Sequence, residues 1–113
     1  MKKFLLPLLL FSSVATSGEV LLKWEPPTTN DDEDKTPLTD LAGYYVYYGN
    51  ESGFHDVVFE ISDESLDSYV LKDLDPGEYY FIIKAYDTSG NISKPSNEPY
   101  KALRTPSPPS NIR

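Results

Sequence analysis

The sequence predicts an all-β chain folded as an antiparallel sandwich. Two observations carry this. Short stretches alternate apolar and polar residues with period two, turn residues separate them, and no stretch shows a helical period. The strongest stretch, LDPGEYYFIIKAYD from Leu74 to Asp87, opens on a turn and runs on as a strand. It sets Tyr79, Phe81, Ile83 and Ala85 on one face and Tyr80, Ile82, Lys84 and Tyr86 on the other. The first set is apolar and narrows toward Ala85, which suits the inside of a sandwich. Lys84 belongs in water.

The chain opens with Met1-Lys2-Lys3, the apolar run Phe4 to Phe11, and the small polar stretch Ser12 to Gly18. Ala15 and Ser17 stand where a signal peptidase reads. This is the outline of a secretory signal over residues 1–17, of bacterial type. A secreted or periplasmic location is therefore expected. A spanning helix needs about 20 apolar residues, and this run is much shorter, so no membrane contact is expected once the signal is cleaved. Residues 18–104 read as one domain, and 105–113 as an extended Pro-rich tail.

The whole chain carries a formal charge of −8, and loss of Lys2 and Lys3 makes it two units more negative. That argues against nucleic acid and anionic membrane surfaces as partners. With no Cys in the sequence, neither disulfides nor thiolate metal sites are possible. Stability must come from packing. No cofactor is expected.

Glu19 to Trp24 is a short strand with Val20, Leu22 and Trp24 inward, ended by Pro26-Pro27. Trp24 is expected to pack on Tyr44 and Phe81. Thr28 to Asp40 is a loop holding the run Asp31-Asp32-Glu33-Asp34. A calcium loop wants acids at alternate positions and a Gly for its turn. This loop has no Gly, and its contiguous carboxylates point in different directions, so it reads as solvated. Leu41 to Gly49 is the second strong strand, with Tyr44, Val46 and Tyr48 on one face and Tyr45 and Tyr47 on the other. The outward pair either packs across strands on Tyr80, Ile82 and Tyr86, or joins them as an exposed aromatic patch that binds something. Phe54 to Ile61 is a weaker strand, and His55, the only His, reads as a surface residue. Ser68 to Lys72 is another short strand. Asn97 to Arg104 is the last, demoted to an edge by Pro99. Two glycosylation sequons, at Asn50 and Asn91, are incidental in a bacterial protein.

From Val20 to Leu103 the chain resembles a fibronectin type III domain of the kind found in exported bacterial proteins. The resemblance rests on Trp24 followed by Pro26-Pro27, and on Leu41-Ala42-Gly43-Tyr44 with Val46 and Tyr48. It continues through Leu74, Pro76 and Gly77 before the Tyr-rich strand, and Ala85 to Asn91 closing it. It implies an immunoglobulin-like sandwich with strands B (Val20–Trp24), C (Tyr44–Tyr48), C′ (Val57–Ile61), E (Tyr69–Leu71), F (Tyr79–Tyr86) and G (Tyr100–Arg104). Strand A is short or missing, because the signal occupies its place. The family's tyrosine corner at the start of strand F falls on Tyr79 or Tyr80. Counting back from Ala85 selects Tyr79 and keeps Lys84 in water.

The resemblance implies a structural or binding module rather than an enzyme. The sequence shows no Gly-flanked Ser nucleophile and no phosphate loop. Two readings follow. One is a protein-binding module or spacer that takes an unknown protein partner by strand addition at the edge carrying Val20, Leu22 and Trp24. The other is a polysaccharide-binding accessory module that uses Tyr45, Tyr47, Tyr80 and Tyr86.

Overall fold

β6 (Gly77–Asp87) is the longest strand and the centre of the molecule. The computed structural model describes residues 9–13 and 18–103. The other strands are β1 (Leu9–Ser13), β2 (Val20–Trp24), β3 (Leu41–Gly49), β4 (Val57–Ile61), β5 (Ser68–Leu71) and β7 (Tyr100–Leu103). Two sheets form, with strand orders β1-β2-β5 and β4-β3-β6-β7, and every neighbouring pair is antiparallel. No helix occurs among the described residues. The two antiparallel layers make a β-sandwich.

The period-two expectation holds along β6. Tyr79, Phe81, Ile83 and Ala85 are buried, while Tyr80, Ile82, Lys84 and Tyr86 are half-buried on the outer face. The same holds for β2 and β3. Val20, Leu22, Trp24 and Leu71 meet Tyr44, Val46, Ile61, Phe81 and Ile83 in one core. Each fully buried side chain of this size contributes roughly 1.5–3 kcal/mol. The Trp24 ring meets the Tyr44 ring edge-on at 5.1 Å, and Phe81 belongs to the same cluster.

The Tyr79 hydroxyl donates to the Asp75 carbonyl oxygen at 2.6 Å. Tyr80 instead lies on the outer face against Tyr100. The corner is therefore Tyr79. Burial pushes the Tyr79 hydroxyl pKa up, and nearby Asp75 adds to this.

Two expectations need correction. The strand expected from Phe54 begins only at Val57. Phe54 lies in the preceding turn and is 71% exposed. The turn leaves it no partner strand: Phe54 closes back on Glu51 by a backbone bond of 3.1 Å. Second, His55 is not a surface residue. Its side chain is only 12% exposed and lies against Glu98.

The first sheet is expected to hold only strands B and E once the signal is gone, with strand A short or missing. In the intact chain it has three strands, because Leu9–Ser13 pairs with Val20–Trp24. An unpaired edge beside an apolar inner face is a template for an extended apolar segment within reach, and Leu9–Ser13 supplies one. The cleavage positions Ala15 and Ser17 lie outside the described residues, as do Arg104 and the tail 105–113.

Candidate functional site

The β2 edge comes first. β2 pairs with β1 on one side and β5 on the other. Val20, Leu22 and Trp24, singled out as a partner-binding edge, are all buried, with their side chains inside the sandwich. Leu21 and Lys23 face outward between them. The register places Leu9 opposite Trp24, Phe11 opposite Leu22 and Ser13 opposite Val20. Opposite residues of an antiparallel pair share a face, so the lane beside β2 presents the core at every second position. On the far side, the bonds to β5 run from Val20–Leu71 to Lys23–Ser68.

The second candidate is the outer face of the four-stranded sheet. Tyr45, Tyr47, Tyr80 and Tyr86 all lie there, half-buried. They form pairs rather than one platform. Tyr45 packs on Tyr86 at 4.8 Å and 35°. Tyr80 packs on Tyr100 at 5.1 Å and 48°. Lys84 Nζ sits 5.0 Å from the Tyr47 ring centroid, a cation–π contact. Of the two readings of the outward pair, cross-strand packing is seen for Tyr45, on Tyr86.

Tyr86 is pinned. Its hydroxyl donates to Glu60 Oε2, which pushes its pKa up to about 12, with burial and the Glu60 charge adding to the effect. A Cβ at Gly43 would collide with this ring and with the Ile61 carbonyl. Only glycine lets the Tyr86 ring lie down on β3.

The acidic loop is folded on itself. Asp32 accepts from the Thr36 amide at 3.0 Å and the Thr36 hydroxyl at 2.7 Å. These bonds lower its pKa, the backbone bond most. Asp31 turns instead toward Lys94, at 3.4 Å. Asn30 is fully buried. Its side-chain amide reaches toward the Thr36 and Pro37 carbonyls, both at 3.4 Å. Among the described residues no group of three or more His, Asp or Glu is placed to hold a metal ion.

Sequence reasoning missed one constellation. Glu98 accepts from the Ser52 hydroxyl at 2.5 Å and the Gly53 amide at 2.9 Å. His55 Nε2 lies 2.7 Å from Oε2, the oxygen that takes the Gly53 amide. These bonds hold the Glu98 carboxyl below its ordinary pKa, the Ser52 bond most. The clamp ties the β3–β4 turn to the lead-in of β7. Its members are more than forty residues apart in the chain, so no local pattern announces it. Tyr100 was also missed as a member of the aromatic face. The signal was there, since its place in the last strand puts it opposite Tyr80.

A three-stranded β1-β2-β5 sheet packed on β4-β3-β6-β7 is the A-B-E on C′-C-F-G arrangement of immunoglobulin-like sandwiches. No family model matches the chain, and no curated protein sequence does. Solved structures do match in fold. The sixth fibronectin type III domain of human fibronectin type III domain containing protein 3 superposes with a TM-score of 0.64 at 19% identity, over 95% of this chain and 91% of that one. The fn3 domain of human collagen alpha-1(XX) chain gives 0.61 at 21% identity, over 92% and 88%. The chicken CNTN1 FN1–FN3 structure gives 0.68 at 17% identity over 91% of this chain. The chain spans 31% of the length of that structure. The fold is that of a fibronectin type III domain.

Proposed function

We propose that the chain is an exported, non-catalytic module that binds another protein by strand addition at the β2 edge, serving as an adaptor or spacer. One observation carries this reading. The strand that closes the β2 edge, Leu9–Ser13, lies inside the segment that reads as a cleavable leader. Cleavage after Ser17 removes it and leaves β2 paired with β5 alone. Unpaired N–H and C=O groups and part of the Val20, Leu22 and Trp24 core surface then face solvent, and a donor strand restores both.

The lone His55 supports the non-catalytic part. Ser52 donates to Glu98 and not to the imidazole, so it lacks the hydroxyl–imidazole contact that activates a serine nucleophile. The polysaccharide reading draws no support from the aromatic face, where the rings tilt against one another instead of offering one flat platform.

The test has two parts. Intact mass of the protein recovered from the cell envelope or medium should show loss of the first 17 residues or so. Hydrogen exchange on that product should find some amides of Val20–Trp24 fast when the protein is alone and slow after a partner is captured. A leader-free monomer with all of these amides slow would rule the edge out.

A further inference from the structure

The β1–β2 register makes the lane beside β2 selective, and we infer that it takes an extended segment of another protein with a defined pattern. That pattern, read from its N-terminus, is large apolar, acidic or neutral, large apolar, any residue, small. The inference rests on the strand-addition reading above and adds to it the chemistry of the donor.

Three parts of the pattern come from the sheet. β1 runs antiparallel to β2, so a donor in the same lane meets Trp24 first and Val20 last. Its first, third and fifth residues stand opposite Trp24, Leu22 and Val20, and these three face the core. Residues opposite one another share a face, so those donor positions also point inward. A core packed to crystal-like density punishes both a missing and an extra side chain. The resident strand carries Leu, Phe and Ser at the register positions opposite Trp24, Leu22 and Val20. A shift of one residue would turn the apolar set outward, so the alternation is the selective feature.

The second position adds charge. The donor residue there stands opposite Lys23, which is exposed on the outer face. A carboxylate at that position pairs with the ammonium group, and a basic residue is repelled. Leu10 fills it in the resident strand. The fourth position stands opposite Leu21 and is left open.

The pattern also excludes one occupant. Within residues 105–113, Ile112 is the single hydrophobic residue. That segment cannot place large apolar side chains at both the first and third positions. Residues 105–113 of a second copy therefore do not fit the lane, and the donor proposed is a segment of a different protein.

The experiment uses the exported protein as the cell processes it, probed with short peptides that span residues 7–14 of its own leader. Titration of the parent peptide should show saturable binding. A Phe11→Ser peptide should bind at least about tenfold more weakly, as loss of a large buried side chain requires. A Leu10→Glu peptide should bind more tightly than a Leu10→Lys peptide, and a Lys23→Glu protein should reverse that order. Two outcomes separate the inference from the reading beneath it. If peptides bind whatever their alternation, and the charge order does not reverse, the edge is a strand acceptor but the pattern is wrong. If the exported protein keeps residues 9–13, or binds no peptide while its β2 amides exchange slowly, the strand-addition reading falls and the pattern with it.

Discussion

Tyr79 and Tyr80 are sequence neighbours whose hydroxyls do different things. Tyr79 donates to the Asp75 carbonyl and stays buried, while Tyr80 rests on Tyr100 at the outer face. Tyr79→Phe should lower stability by about 1 kcal/mol, the net worth of such a bond. Tyr80→Phe should change it by close to nothing. Denaturant melts of the two variants check this, and the reverse order would mean the strand register is wrong. Trp24→Ala removes a ring that is almost wholly buried against Tyr44. It should cost about 3–5 kcal/mol, a large share of the roughly 5–15 kcal/mol available to a domain. Retention of a cooperative melt near the parent temperature would contradict the placement of Trp24. Which face each of these residues takes was legible in the sequence, because period two is a local property of the strand. The partner of Glu98 was not, because nothing near position 98 encodes a turn more than forty residues upstream.

β7 shows why the last element is short. Pro95 and Pro99 cannot donate to a ladder, yet the amides of β6 on that side still need acceptors. Serine side chains supply two of them: Ala85 N–H donates to Ser93 Oγ at 2.9 Å, and Ile83 N–H to Ser96 Oγ at 2.9 Å. The Pro99 carbonyl takes the Phe81 amide at 3.1 Å. The Glu98 clamp adds a link between this segment and the β3–β4 turn, and it has a pH signature. A carboxyl held below its ordinary value of 4.5 stabilises the fold fully above that pH. The contribution is lost as the pH falls through the lowered folded value. Glu98→Gln should therefore melt lower than the parent at pH 7, with the gap closing on acidification below about 4.5. A gap that is constant from pH 7 to pH 3 would show that the clamp acts through shape and not through charge. At this scale the sequence announced β2, β3 and β6, whose alternation is clear. It did not announce β1, whose pairing depends on an unfilled edge as well as on its own apolar run.

The described residues build two sheets with all-antiparallel pairing, and no Cys is present to staple them. The sandwich class was legible because every strand signal pointed the same way. The lane that a donor could enter was legible only as a missing strand, and its register needed the coordinates. That register also has a mechanical meaning. Both outermost strands at the chain's two ends, β1 and β7, lie antiparallel to their neighbours, with Leu9 opposite Trp24 and Leu103 opposite Gly77. A pull directed across the strands, at Leu103 or, while the first 17 residues are kept, at Leu9, loads the ladder one rung at a time, like opening a zipper. A tether made from this module would lengthen by peeling its terminal strands at low force while β3 and β6, paired from Leu41–Asp87 to Gly49–Tyr80, stayed shut. Single-molecule stretching should show a small early extension before the main rupture. A single abrupt rupture with no early step would show that the ends are sheared and not peeled.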